Sequence, residues 1–139
     1  MRVVNVVATC TGQAEELLRR YPHAETRAGV AVYGDGWTAL AYRTGRVKLF
    51  AQRWPVDIGL DCRVDLIVAV ASVRRLPEEE AAERLRAAGL AVDRTERSTA
   101  LLAYGPSFTL RLFASGKAVI FARSFDALAE AAELIRRLT

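Results

Sequence analysis

Two stretches of the chain contain aromatic and cationic residues that are an even number of positions apart. The first stretch contains Tyr42, Arg46 and Lys48, and the second contains Phe113 and Lys117. Arginine and lysine can contact phosphate groups, and aromatic rings can stack on bases. Arginine and aromatic residues are also frequent among the residues that contribute most to protein–protein binding. The residue types therefore predict a binding surface, and they leave open whether it binds a nucleic acid or a protein.

Residues that could support enzyme chemistry are scarce. His23 is the only histidine, so a histidine metal cluster cannot form within one chain, and its Tyr-Pro-His-Ala context predicts a solvated turn. Cys10 and Cys62 are too few for a disulfide framework. We expect two packed thiols, with a disulfide between them as the alternative. Motifs for phosphate loops, dinucleotides or a nucleophilic serine are absent from the sequence. We therefore expect no catalytic residue, no metal and no cofactor.

The composition is that of one folded domain. Of the 139 residues, 52% are hydrophobic and 26% are charged, which excludes a disordered tail. The net charge of +4 is a modest bias, and 18 of the 20 cations are arginine, a composition that we associate with a thermophile. The sequence has neither a membrane-length apolar stretch nor a signal-peptide pattern. We expect a single cytoplasmic domain over residues 1–139 with no membrane partner.

An internal repeat organises the sequence. Residues 33–54 match residues 104–125 at an offset of 71, which places Tyr33-Gly34 over Tyr104-Gly105. Residues 3–9 match residues 66–72 at an offset of 63. The pattern predicts a tandem duplication with copies at about 1–64 and 65–139.

Each copy has the same predicted order of elements. A strand at 3–10 or 66–73 precedes a helix, at 13–20 in the first copy and near 77–89 in the second. Three strands follow, and Gly45 and Gly116 mark the tight turns of two hairpins. A closing helix at 126–138 is predicted only in the second copy. The apolar residues of the first copy therefore need another cover, either the segment 56–64 or a second chain in a homodimer.

Three segments resemble the TATA-binding protein (TBP) family. Residues 5–9, Asn-Val-Val-Ala-Thr, are similar to the first strand of its core, and residues 38–46 and 109–117 resemble its T-A-L-I-F-A-S-G-K hairpin. The resemblance implies an α+β saddle: a curved antiparallel sheet made of two repeated halves, with helices on the convex face. It also implies a non-enzymatic DNA-binding role in transcription. Tyr42 and Phe113 match one wedge residue per copy, while the other falls near Arg27 and near Ser98.

Side-chain alternation then predicts which residues line the concave face. The candidate nucleic-acid-binding residues are Asn5, Val7, Thr9, Leu40, Tyr42, Arg46, Lys48, Phe50, Val68, Val70, Arg111, Phe113, Lys117, Val119, Phe121 and Arg123. The opposite parity is small or apolar and should pack under the helices. We expect burial there of Val4, Val6, Ala8, Leu49, Ile67, Leu112 and Ile120.

The predicted function is non-enzymatic nucleic-acid binding through this basic, aromatic face. The expected partner is DNA, either duplex or single-stranded. The alternative is a protein-interaction module that uses the same face, and a small enzyme is a third, less favoured reading. Salt dependence separates the first two, because nucleic-acid binding weakens steeply as salt rises.

Overall fold

Ten strands and three helices make up the part of the chain that the computed structural model describes, residues 1–94 and 100–138. In chain order they are β1 (Arg2–Thr11), α1 (Glu15–Arg20), β2 (His23–Glu25), β3 (Gly29–Gly34), β4 (Trp37–Tyr42), β5 (Val47–Ala51), β6 (Asp61–Ser72), α2 (Glu78–Ala87), β7 (Ala91–Asp93), β8 (Ala100–Tyr104), β9 (Phe108–Phe113), β10 (Lys117–Ala122) and α3 (Phe125–Leu138). The chain divides into a first unit, residues 4–66, and a second unit, residues 1–3 with 67–139.

The first unit is an antiparallel sheet in the order β2-β3-β4-β5-β1. One side of this sheet is covered by α1, through Leu17, and by the segment that follows β5, through Ile58. Val47, Leu49 and Trp37 lie in the same apolar cluster. The Trp37 and Tyr21 rings pack in a T-shaped arrangement, with ring centroids 4.8 Å apart. The opposite side of the sheet is called the open face of the first unit below.

The second unit is an antiparallel sheet in the order β6-β10-β9-β8-β7. Helix α3 packs on β10 and β9, and α2 packs on β7 and β8. The helical spacing of Leu128, Ala131, Ile135 and Leu138 predicts an apolar stripe on α3, and all four are buried, together with Ala127 and Leu134. Helix α2 begins after Pro77 and stops before Gly89, whose φ of +91° suits a residue without a Cβ. The side of this sheet away from α2 and α3 is the open face of the second unit.

Strict alternation divides the strands between the two sides, as predicted. All ten apolar residues that the alternation assigns to the helix side are buried: Ala39, Ala41, Val47, Leu49, Ala51, Leu110, Leu112, Ala118, Ile120 and Ala122. Of the seven residues expected to be buried, six are buried and Val4 is half-buried. The pairing of β1 with β5 runs only from Val6 to Cys10, so Val4 has no β5 residue beside it.

The missing closing helix of the first copy is replaced by the chain itself. Ile58 is buried, and Val56, Leu60 and Trp54 are half-buried against the cluster that contains Val47 and Leu49. The first of the two expected covers is therefore confirmed. The segment suits this role because apolar residues alternate along it, at positions 54, 56, 58 and 60.

The two cysteines form a disulfide, which corrects the expectation of packed thiols. Cys10 of β1 and Cys62 of β6 are bonded across 52 residues of sequence, with their Cα atoms 4.0 Å apart. Cys10 is buried on the helix side of the first unit and Cys62 packs against the same cluster. Spacing along the chain could not reveal this pairing, because it depends on which strands lie together.

Three local assignments differ from the sequence prediction. The strands β2 and β7, three residues each, were not predicted, since alternation is not recognisable over so few residues. His23 lies in β2 rather than in a turn, and it is exposed as expected. Strand β6 begins at Asp61 instead of Leu66.

Among the described residues, no helix has the length and hydrophobicity that crossing a membrane requires.

The covering segment predicts a large stability loss for Ile58→Ala. Deleting most of a buried isoleucine side chain removes transfer energy and leaves a cavity, so we expect the free energy of unfolding to fall by about 2–5 kcal/mol. Urea unfolding followed by tryptophan fluorescence measures this change. Gln52→Ala, at an exposed position, is the control. Equal stability of the two variants would contradict the assigned cover.

The disulfide predicts a redox-dependent stability. A crosslink that closes a loop of this length typically adds about 2–4 kcal/mol to the free energy of unfolding. A reducing agent should lower the stability of the wild type by that amount and leave the Cys10→Ala/Cys62→Ala double variant unchanged. A wild type whose urea midpoint is the same with and without reductant would contradict the crosslink.

Candidate nucleic-acid interface

The strand register arranges the open face of the first unit in rows that run across the strands. Residues directly opposite each other share a face. In the tyrosine row, Tyr33 pairs with Thr38, which pairs with Phe50, which pairs with Val7. In the central row, Leu40 pairs with Lys48, which pairs with Thr9. These pairings bring the predicted residues of β1, β4 and β5 together on one surface.

The open face of the second unit has corresponding rows. Its tyrosine row runs Tyr104, Thr109, Phe121 and Val68. Its central row runs Leu102, Arg111, Val119 and Val70. A charged arginine thus stands in the second unit where Leu40 stands in the first.

A third row in each unit, the hairpin row, lies at the turn. Tyr42 donates its backbone N–H to the carbonyl of Arg46 at 2.8 Å, which closes a three-residue loop. Gly45 takes a φ of +90° in that loop, and Gly116 takes the same value in the loop between Phe113 and Lys117. At both positions a Cβ would be strained, so glycine fixes the turn. Each turn therefore holds one aromatic ring and one cation on the same face. These two residues form the hairpin row, Tyr42 with Arg46 in the first unit and Phe113 with Lys117 in the second.

Every predicted site residue lies outside the core. The first unit gathers Asn5, Val7, Thr9, Leu40, Tyr42, Arg46, Lys48 and Phe50, and the second gathers Val68, Val70, Arg111, Phe113, Lys117, Val119, Phe121 and Arg123, all of them half-buried or exposed. Arg123 follows the end of β10. Arg27 is exposed before β3, and Ser98 lies outside the described residues. The predicted register of both open faces is thus confirmed, while the binding role of these residues stays a prediction.

Two aromatic residues of these faces were missed by the sequence analysis. The side chains of Tyr33 and Tyr104 are 49% and 44% exposed, and each lies at the end of a tyrosine row. The sequence contains a signal for both residues, because the 71-residue offset aligns Tyr33 with Tyr104.

An acidic side chain on the first unit's open face was also missed. Asp65 accepts a hydrogen bond from the Thr9 hydroxyl, and the Lys48 ammonium lies 3.0 Å from the same carboxylate oxygen. Arg63 is 3.7 Å from the other oxygen. The hydrogen bond from Thr9 is the main reason that the pKa of Asp65 is lowered; Lys48 and Arg63 add to this, and partial burial opposes it. Lys48 is therefore neutralised by a carboxylate of its own chain.

Other predicted cations have no such partner. Within residues 1–94 and 100–138, none of Arg46, Arg111, Lys117 and Arg123 forms an ion pair with a carboxylate. The Arg111 guanidinium lies over the Phe121 ring, 5.5 Å from its centroid. Such cation–π contacts at exposed sites leave the charge available to a ligand. These four side chains can therefore meet an anion without first breaking a salt bridge.

Small cavities flank the hairpin rows. One of about 190 Å³ in the second unit is bordered by Phe113, Leu112 and Leu101, and one of about 270 Å³ in the first unit is bordered by Tyr42, Ala41 and Val30. These lining residues align at the 71-residue offset.

In the part of the chain that is described, no group of three or more His, Cys, Asp or Glu side chains is arranged to hold a metal ion.

The Asp65 cluster predicts a pH-dependent contribution to stability. Its folded pKa lies below the unfolded value of about 3.9, so the unfolded state binds more protons and stability rises with pH in this range. The contribution is complete above about pH 4 and disappears as the pH falls through the folded pKa. Exposed ion pairs are worth about 1 kcal/mol or less, which sets the expected size.

Asp65→Asn tests this prediction in urea titrations at several pH values. The variant should be less stable than the wild type at pH 6, and the difference should shrink below pH 4. Asp61→Asn is the matched control, since Asp61 is an exposed carboxylate on the same strand whose side chain has no ion pair with a described residue. A difference that does not depend on pH would contradict the assigned pKa direction.

Comparison with known proteins follows from this geometry. No protein-family model matches the chain, and no curated protein matches it in sequence. Among solved structures it is similar to Methanococcus jannaschii TBP, with a TM-score of 0.68 and 19% identity over 99% of this chain and 98% of that chain. At this identity the similarity shows the fold. The α+β fold that the sequence motifs implied is confirmed, and the chain has a TBP-like fold.

Proposed function

We propose that the chain is a non-enzymatic nucleic-acid-binding protein that uses the open faces of its two units. The observation that carries this proposal is the presence of cations without carboxylate partners among the described residues, on the same face as half-buried aromatic rings. Arg46, Arg111 and Lys117 are all exposed, and each lies on the same face as Tyr42, Phe113 or Phe121. Cations can contact the phosphates of a nucleic acid, and flat aromatic rings can stack on its bases.

The hairpin rows provide the most defined geometry. In each unit a glycine-containing turn holds a ring and a cation on the same face, Tyr42 with Arg46 and Phe113 with Lys117. A rigid turn lowers the entropy that the side chains lose on binding. In this proposal the ring contacts a base while the neighbouring cation contacts the backbone phosphate.

The fold supports the same proposal. The similar solved structure is a TBP, and the similarity covers 99% of this chain. The binding role is argued from the residues that this chain itself carries on its open faces. The charge of Lys48 is offset by Asp65, so the first unit offers fewer available cations than the second.

Substitutions in the hairpin rows should separate stacking from phosphate contacts. Phe113→Ala and Tyr42→Ala should each weaken binding by about 1–3 kcal/mol and leave the salt dependence nearly unchanged, because stacking releases no counterions. Lys117→Ala and Arg46→Ala should weaken binding to all sequences. Each should also reduce the slope of log affinity against log salt concentration by about one. Binding titrations at several salt concentrations measure both quantities.

Arg137→Ala is the matched control for the lysine and arginine variants, since Arg137 is an exposed cation on α3. It should change neither affinity nor slope. No detectable affinity for duplex or single-stranded nucleic acid at about 50 mM salt would overturn the proposal, since phosphate contacts are strongest at low salt. The open faces would then be assigned to a protein partner, whose binding depends far less on salt.

A further inference from the structure

The tyrosine rows contain large rings that the fold buries only in part. Tyr33, Phe50 and Tyr104 are 49%, 39% and 44% exposed, while the described core contains no polar or charged residue. Neither tyrosine hydroxyl forms a hydrogen bond with a described residue. The exposed part of such a ring contributes little to folding, so the presence of these rings on both open faces points to a ligand with flat apolar surfaces.

The spacing of the rings indicates whether the bases of the ligand are stacked on one another. In each unit one strand lies between the tyrosine and the phenylalanine, β4 between Tyr33 and Phe50 and β9 between Tyr104 and Phe121. Two strand spacings amount to roughly 9–10 Å. Neighbouring bases of a duplex are only about 3.4 Å apart along the helix. Bases three steps apart lie at about the spacing of the rings, but in a duplex their faces are covered by the neighbours stacked on them. Both rings of a row can therefore be stacked only by bases that have separated from their neighbours.

The chemistry of the rings favours the same ligand. Three of the six aromatic residues on the open faces are tyrosines, Tyr33, Tyr42 and Tyr104. Side chains that wedge between the base pairs of a duplex are apolar, because a hydroxyl placed there loses its water without a new partner. A tyrosine that stacks on an unpaired base keeps its hydroxyl in solvent. Unpaired bases are commonly bound in this way by aromatic residues on an uncovered sheet.

One cation lies directly against a ring of a tyrosine row. Arg111 of the second unit's central row is packed on Phe121 of the tyrosine row, with 5.5 Å from its guanidinium to the ring centroid. A base stacked beside this pair would bring its phosphate toward a guanidinium that has no carboxylate partner among the described residues. Positive charge along the strand together with stacking on rings is typical of proteins that bind single strands.

We infer that the tyrosine rows bind single-stranded nucleic acid by stacking unpaired bases on Tyr33 with Phe50 and on Tyr104 with Phe121. This inference rests on the proposed function and names its substrate class. Single-stranded DNA and RNA share the stacking chemistry, and the experiment distinguishes them from each other and from a duplex.

The test compares fluorescently labelled oligothymidine, oligouridine and a duplex of the same length in anisotropy titrations. We expect at least one single strand to bind tenfold or more tightly than the duplex. Tyr33→Ala and Tyr104→Ala should each reduce single-strand affinity by roughly 5-fold to 150-fold with an unchanged salt slope. Tyr33→Phe and Tyr104→Phe should retain binding, because the ring remains.

Phe125→Ala is the matched control, since Phe125 is 41% exposed but belongs to α3. It should bind like the wild type. Thermal unfolding of each variant checks the fold, and photocrosslinking of a 5-iodouracil oligonucleotide gives a second readout that needs no substitution. Crosslinks to Tyr33, Phe50, Tyr104 or Phe121 support the inference.

If a nucleic acid binds, three results overturn the inference: a duplex that binds as tightly as the single strands, alanine variants that bind like the wild type, or crosslinks only outside the open faces. Duplex preference would leave the proposed function in place and remove only the single-strand assignment. Failure of all three nucleic acids to bind would overturn both.

Discussion

The period of two in an extended strand is the constraint on which the whole structure depends. Each long strand turns one set of side chains toward the helices and the other set toward solvent. The helix-side set is small and apolar, often alanine, as at Ala39 and Ala118. The open set contains the cations and aromatic rings. A shift of one residue in the pairing would exchange the two sets, so burial of the apolar set also fixes which residues remain available for binding.

The two units bury this apolar set in different ways. In the second unit two helices of 10 and 14 residues cover the sheet. In the first unit α1 has only 6 residues, and the remaining cover comes from an irregular segment around Ile58. The Cys10–Cys62 disulfide lies just after that segment and attaches its far end to β1. The crosslink therefore supplies order where regular helix is lacking.

Much of the fold could be predicted from the sequence, because its strongest signals are local. The alternating hairpins, the glycine turns and the stripe of α3 each depend on residues close together in the chain. The disulfide could not be predicted, since Cys10 and Cys62 are brought together only by the placement of their strands. Asp65 was missed for the same reason: its partners Thr9 and Lys48 are distant in sequence. The site was thus predicted as a list of residues but not as a set of interactions.

The separation of the two side-chain sets has a consequence for how such a protein can evolve. The residues that hold the fold together face the helices, and the residues proposed to touch a ligand face solvent. Substitutions on the open faces at positions such as Leu40 and Arg111 can therefore accumulate with little loss of stability. Two chains can then share the same architecture while the residues on their open faces differ. Ligand preference in this architecture is free to drift, whereas the alanine-rich side has little room to change because the helices lie directly on it.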